Sequence, residues 1–138
     1  LLPDITIFEN VAYCGYEINK NKREVNKETL ELLNKFGLEE HRDKYPSEVS
    51  GGMQQRAAIA RAIITKPKIL FGDEPTGALN STTGQEVLDI LSEMNNNGQT
   101  IVMVTHDVKS TARASRLLYL KDVRLFPLLY IRGVLCGE

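Results

Sequence analysis

Ile69-Leu70-Phe71-Gly72-Asp73-Glu74 is a short apolar run that ends in two adjacent carboxylates. A run of this length and composition reads as a strand buried on both faces. Downstream, Asn80 or Ser81 can cap a helix whose Val87, Leu88, Ile90, Leu91 and Met94 form one apolar stripe, and the stripe stops near Asn97 and Gly98. Ile101-Val102-Met103-Val104 then makes a second apolar strand, which gives way to Thr105, His106 and Asp107. Strand, helix and strand form a β-α-β unit, whose strands run parallel and whose crossover is right-handed. The two strand ends therefore face one edge of the sheet, where ligands of α/β proteins bind. Asp73, Glu74 and His106 are expected in one crevice.

Upstream, Val49-Ser50-Gly51-Gly52-Met53-Gln54-Gln55-Arg56 marks a loop that becomes a helix. Ala57, Ala58, Ala60, Ile63 and Ile64 follow at helical spacing, so Ser50 falls at the N-cap and the two glycines open the first turn. The unpaired N–H groups and the positive end of the helix dipole suit an anion such as phosphate. An ordinary capped helix would show the same residues. This helix is expected to reach Thr65, since Pro67 prevents its continuation. Before it, Leu30, Leu32, Leu33 and Phe36 place a helix over 26–36 that Gly37 ends, followed by a polar linker from His41 to Pro46. At the far end, Leu117-Leu118-Tyr119-Leu120-Lys121 is echoed by Leu128-Leu129-Tyr130-Ile131-Arg132. A hairpin, a small duplication and a damaged C-terminus all fit that echo.

Composition narrows the class. The 138 residues suit one domain, and 42% hydrophobic with 25% charged residues is ordinary for a globular chain. A net charge of −1 gives no electrostatic footprint for general nucleic-acid binding. Cys14 and Cys136 form no paired motif, which argues against a zinc site or disulfide framework and for a reducing, cytoplasmic setting. No apolar run is long enough to cross a bilayer, and the first residues do not read as a signal peptide. A chain that opens without Met is expected to be truncated at its start.

At a strand end, Asp73 can bind a hard cation such as Mg²⁺ through water, and Glu74 beside it can orient and deprotonate a water. Both could equally begin a turn before Pro75. His106 is a structural group by default; in a crevice shared with Glu74 its imidazole could touch a terminal phosphate. His41 reads as a surface or linker residue.

Taken in chain order, these elements resemble the ATP-binding cassette (ABC) ATPases. Val49 to Arg56 is similar to that family's signature motif, Ile69 to Glu74 to its Walker B strand, Gly77 to Asn80 to its D-loop, and His106 to its switch histidine. The resemblance implies an α/β fold: the C-terminal part of a P-loop NTPase domain, with a parallel sheet flanked by helices plus a helical subdomain. One partial domain over 1–138 follows, with about 9–65 as helical subdomain and signature helix, and about 66–138 carrying Walker B, D-loop and switch histidine. It further implies ATP and Mg²⁺ as cofactors and head-to-tail pairing with a second cassette in a homodimer. Ser50, Gly51, Gly52 and Gln54 would touch the partner's nucleotide, Asp73 would support Mg²⁺ through water, Glu74 would be the general base, and His106 would contact the γ-phosphate. Ala78, Leu79 and Asn80 of the D-loop would couple the two sites.

Leu1 to Thr6 with Glu9-Asn10-Val11, and Asp73 to Leu79, resemble the subgroup that serves lipoprotein release, macrolide export and antimicrobial-peptide export, together with a cell-division relative. A membrane permease is the implied partner, reached from the cytoplasmic face of the membrane, with residues 9–46 as the contact surface and no nucleic-acid partner. The sequence departs from the family at Met53 (commonly Gln), Asn80 (commonly Asp) and Val123 (commonly Gly). More consequentially, no Gly-x-x-x-x-Gly-Lys-[Ser/Thr] stretch, the Walker A loop that cradles β- and γ-phosphates, occurs in the 138 residues. Without that cradle the chain alone is expected to be inactive. A non-catalytic remnant or permease-docking module is the alternative function. A DNA-maintenance ATPase is a further one, disfavoured by the neutral charge and the want of heptad repeats.

Overall fold

The computed structural model describes residues 1–18, 21–121 and 124–128. Three helices come first: α1 (Ile7–Ile18), α2 (Lys22–Lys35) and α3 (Gly51–Ile63). Strand β1 (Ile69–Asp73), helix α4 (Ser81–Asn96) and strand β2 (Thr100–Val104) follow, then the short α5 (Val108–Thr111) and the strands β3 (Leu117–Lys121) and β4 (Arg124–Leu128).

The start of helix α1 is written locally. Thr6 Oγ1 accepts from the Glu9 N–H at 3.2 Å while Glu9 Oε2 accepts from the Thr6 N–H at 2.8 Å, a reciprocal capping box. Buried Asn10 then ties down the leading segment: its Oδ1 accepts from the Leu2 N–H, and its two Nδ2 protons are shared among the carbonyls of Leu2, Ile5 and Thr6. Helix α2 begins earlier than 26, at an Asn21 cap, and Gly37 at φ +64° follows its end as expected. In α3 the last helical residue is Ile63, with Lys66 at φ +51° turning the chain toward β1. Two short 3-10 turns, Glu39–His41 and Pro46–Glu48, occupy the linker.

Apolar side chains from both halves share one core. Ile7, Val11, Leu33, Leu38, Ala57 and Ile64 pack the helical part, and Val87, Leu91 and Met94 continue that core on α4. Burying a Leu, Ile or Val side chain contributes about 1.5–3 kcal/mol, so these contacts dominate the stability of the helical part. Helix α3 is the bridge, lying against α1, α2 and α4.

Strands β1 and β2 pair in parallel, with Ile69 opposite Thr100 and Asp73 opposite Val104, as the β-α-β reading requires. Burial on both faces is not what the sheet shows. Leu70 faces the core, but Ile69, Phe71, Val102 and Val104 are exposed, with Phe71 at 74%. The uniformly apolar pattern reports a two-faced environment, and among the described residues only one face is covered. The hairpin that is described is not between the two echoed segments: β3 pairs with 124–128, Leu117 opposite Leu128 and Lys121 opposite Arg124. Residues 129–132 and Val123 lie outside the described residues.

Candidate functional site

The parallel ladder runs one bond past β1: the Glu74 N–H donates to the Val104 carbonyl at 2.8 Å. There the backbone of Glu74 takes φ +44°, a left-handed conformation that costs a non-glycine residue on the order of 1–3 kcal/mol and persists only when its surroundings hold it. The carboxylate supplies that hold. Oε1 accepts from the His106 N–H at 2.9 Å and faces His106 Nδ1 at 2.8 Å, while Oε2 accepts from the Thr105 hydroxyl at 3.1 Å. His106 remains 87% exposed and Glu74 33%, so the pair is anchored yet open to a ligand.

Partial burial pushes the Glu74 carboxyl up, but hydrogen bonds from the His106 ring, the Thr105 hydroxyl and the His106 N–H outweigh it and hold the group below its ordinary 4.5. A carboxyl depressed by folding stabilises the fold above its unfolded value, and that contribution is lost as pH falls through its folded value. The stability gap between the wild type and Glu74→Gln is therefore expected to be full at neutral pH and to close under acid, below 4.5. Urea midpoints at neutral and acid pH check this; a gap independent of pH would contradict it.

Glu74 and His106 line a cleft of about 310 Å³ together with Thr76, Gly77, Leu79, Asn80, Ser81 and Asp107. Asp73 is not in it. As the last residue of β1, Asp73 alternates with Gly72 onto the exposed side shared by Ile69 and Phe71, and it lines a separate cavity of about 160 Å³ with Gln55. The single crevice expected for Asp73, Glu74 and His106 thus holds two of the three. Successive strand residues project to opposite faces, so alternation is the signal that sets Asp73 apart from Glu74.

Ser50 caps α3, its Oγ accepting from the Met53 N–H at 3.3 Å. Among the described residues no acceptor pairs with the N–H groups of Gly51 or Gly52. The two glycines differ in role. Gly51 is exposed, with only Leu79 Cδ2 within 3.7 Å of where a Cβ would stand. Gly52 is buried, and a Cβ there would meet Thr83 Cγ2 at 1.9 Å, so its lack of a side chain serves the crossing of α3 over α4. Gln54 turns inward and donates to the Pro46 carbonyl at 2.9 Å, pinning the preceding turn. Ala78 is exposed, Leu79 packs on the core, and Asn80 rather than Ser81 caps α4 through a 2.9 Å bond to the Thr83 N–H. Thr83 thus touches both the signature helix and the D-loop cap. Arg56 and Glu86, paired at 2.9 Å, reinforce the same helix crossing. Neither Thr83 nor the pairing of Arg56 with Glu86 shows in the sequence, because the partners lie about thirty residues apart.

Among the described residues no group of three or more His, Cys, Asp or Glu side chains could hold a metal ion. Mg²⁺ with a nucleotide needs only one or two carboxylates, because phosphates and waters complete its octahedron, and Asp73 fits that mode.

The fold is that of an α/β cassette with its polar cleft at the end of a parallel sheet, and comparison with known proteins says which family it serves. The sequence pattern of the ABC transporter family matches residues 1–77. The macrolide export ATP-binding/permease protein MacB of Escherichia coli is 46% identical over 122 residues, which are 88% of this chain and 19% of MacB. The cell division ATP-binding protein FtsE of Streptococcus pneumoniae is 44% identical over 107 residues, 78% of this chain and 46% of FtsE. A dimeric structure of the ATP-binding cassette MJ0796 in a post-hydrolysis state, bound to ADP and Pi, superposes with a TM-score of 0.79 at 37% identity, covering 95% of this chain and 60% of that one. This chain belongs to the ABC transporter family. It spans less than two thirds of the length of each of these relatives. Among the described residues no helix is long and apolar enough to cross a membrane.

Proposed function

We propose that the chain is the signature, Walker B and switch-histidine portion of an ATPase that drives export through a membrane permease from the cytoplasmic face. The observation that carries this reading is the Glu74 carboxylate, fixed by three donors beside an exposed His106 at the sheet edge. An ionised carboxylate so placed can take a proton from a water that attacks a terminal phosphate, and the imidazole can contact the phosphate oxygens. Asp73 would hold Mg²⁺ through water, and the ion would neutralise phosphate charge. The open N–H groups at the start of α3 suit a phosphate brought by a second cassette, and the MJ0796 dimer supports such pairing. The phosphate-cradling loop has to come from residues other than these 138.

Likeness to MacB supports macrolide or related export, and likeness to FtsE favours a cell-division role as a second reading. Two results test the proposal. The 138-residue chain alone turns over ATP at background rate. A polypeptide that joins these residues to a phosphate loop, carries Glu74→Gln and is given Mg-ATP sediments as a dimer, and as a monomer without nucleotide. A monomer at saturating Mg-ATP would overturn the pairing.

A further inference from the structure

Two hydroxyls outside the expected site tie its loops together. Thr105 Oγ1 donates its one proton to Glu74 Oε2 at 3.1 Å and accepts from the Asp107 N–H at 3.0 Å. Ser110, fully buried, donates its hydroxyl to Asp107 Oδ2 at 2.7 Å, and its N–H reaches the same oxygen at 2.8 Å. Ser110 Oγ also lies 3.2 Å from Thr76 Oγ1, and since the Ser110 proton is committed to Asp107, Thr76 is the donor there. The result is a closed ring. It runs from Glu74 through buried Pro75 and Thr76 on one loop, across to Ser110, Asp107 and Thr105 on the other, and back to the carboxylate.

The ring also settles the histidine. A carboxylate only accepts, so the His106 Nδ1 that faces Glu74 Oε1 at 2.8 Å carries the proton, and in the neutral ring Nε2 keeps its lone pair for solvent or ligand. The Thr105 bond fixes the rotation of the Glu74 carboxylate, which leaves Oε1 turned to both the ring and the N–H of His106.

We propose that Thr105 and Ser110 are positioning residues whose hydroxyls clasp the loop after β1 to the loop after β2 and so hold His106 in its Nδ1–H tautomer against Glu74. The proposal rests on the reading of Glu74 and His106 as the pair that acts at the phosphate, but its test is separate. Long-range ¹⁵N–¹H correlation of the full chain at alkaline pH reads the tautomer directly. The wild type is expected to show the Nδ1–H form. Thr105→Val and Ser110→Ala lose it to a mixture of both tautomers, and Thr105→Ser, which restores the donor, recovers it. If folded Thr105→Val keeps the wild-type tautomer, the proposal is overturned; the Val and Ser variants decide this even should Ser110→Ala fail to fold. A Glu74→Gln variant that leaves hydrolysis unchanged would instead overturn the general-base reading and leave the tautomer result standing.

Discussion

Glu74→Gln is expected to slow ATP hydrolysis by about 10²- to 10⁴-fold in any assembly that supplies a phosphate loop, the usual worth of a positioned proton acceptor. The substitution keeps the shape of the side chain and an acceptor oxygen for Thr105 or His106, so nucleotide affinity stays within a few-fold. It removes the group that can take a proton from water. Single-turnover rates beside equilibrium nucleotide binding separate the two, and a variant with unchanged turnover would show that Glu74 only shapes the turn. The left-handed backbone of Glu74 is maintained against its cost by bonds to Thr105 and His106, not by local preference.

Gly52→Ala is expected to destabilise the fold by about 1–3 kcal/mol, because a methyl group there meets Thr83 Cγ2 at 1.9 Å and one helix must shift. Thr83→Ala removes Cγ2 and Oγ1 but keeps Cβ, 3.3 Å from the new methyl group. The double variant Gly52→Ala with Thr83→Ala should therefore recover most of the loss, a coupling that a double-mutant cycle of urea midpoints measures. Additive effects would mean that the glycine is not there for the crossing. Gly51→Ala, with open space around it, is expected to cost far less.

These two glycines show what was legible in the sequence. Reading Ser50 as a cap and the glycines as the opening turn follows from local rules, and the helix forms there. That one glycine faces solvent and its neighbour a threonine thirty-one positions on depends on how α3 crosses α4, which no local pattern encodes. The β-α-β unit was likewise legible, since apolar runs and a helical stripe of the right lengths have few other solutions. The meeting of Glu74 with His106 followed from parallel strands alone. The separation of Asp73 from them follows from strand alternation, which turns neighbouring side chains to opposite faces. Thr105 and Ser110 gave no signal, being small polar residues whose partners come from the other loop. Helix α1 could have been found: Thr6 and Glu9 stand at capping-box spacing.

In the proposed function, one chain's Glu74 and another chain's signature turn serve the same nucleotide. Gly51 offers a clean probe, because its open surroundings admit a side chain, and Gly51→Glu sets a carboxylate where a phosphate would dock. Hydrolysis is measured in two mixed dimers of the phosphate-loop-bearing polypeptide. In one, a Glu74→Gln protomer pairs with a Gly51→Glu protomer; in the other, a protomer carrying both substitutions pairs with wild type. A shared site predicts that the first dimer, with both lesions in one site, keeps hydrolysis at its intact site, while the second loses it at both. The reverse pattern, activity in the second dimer and none in the first, would place both groups at a nucleotide of their own chain and contradict the claim.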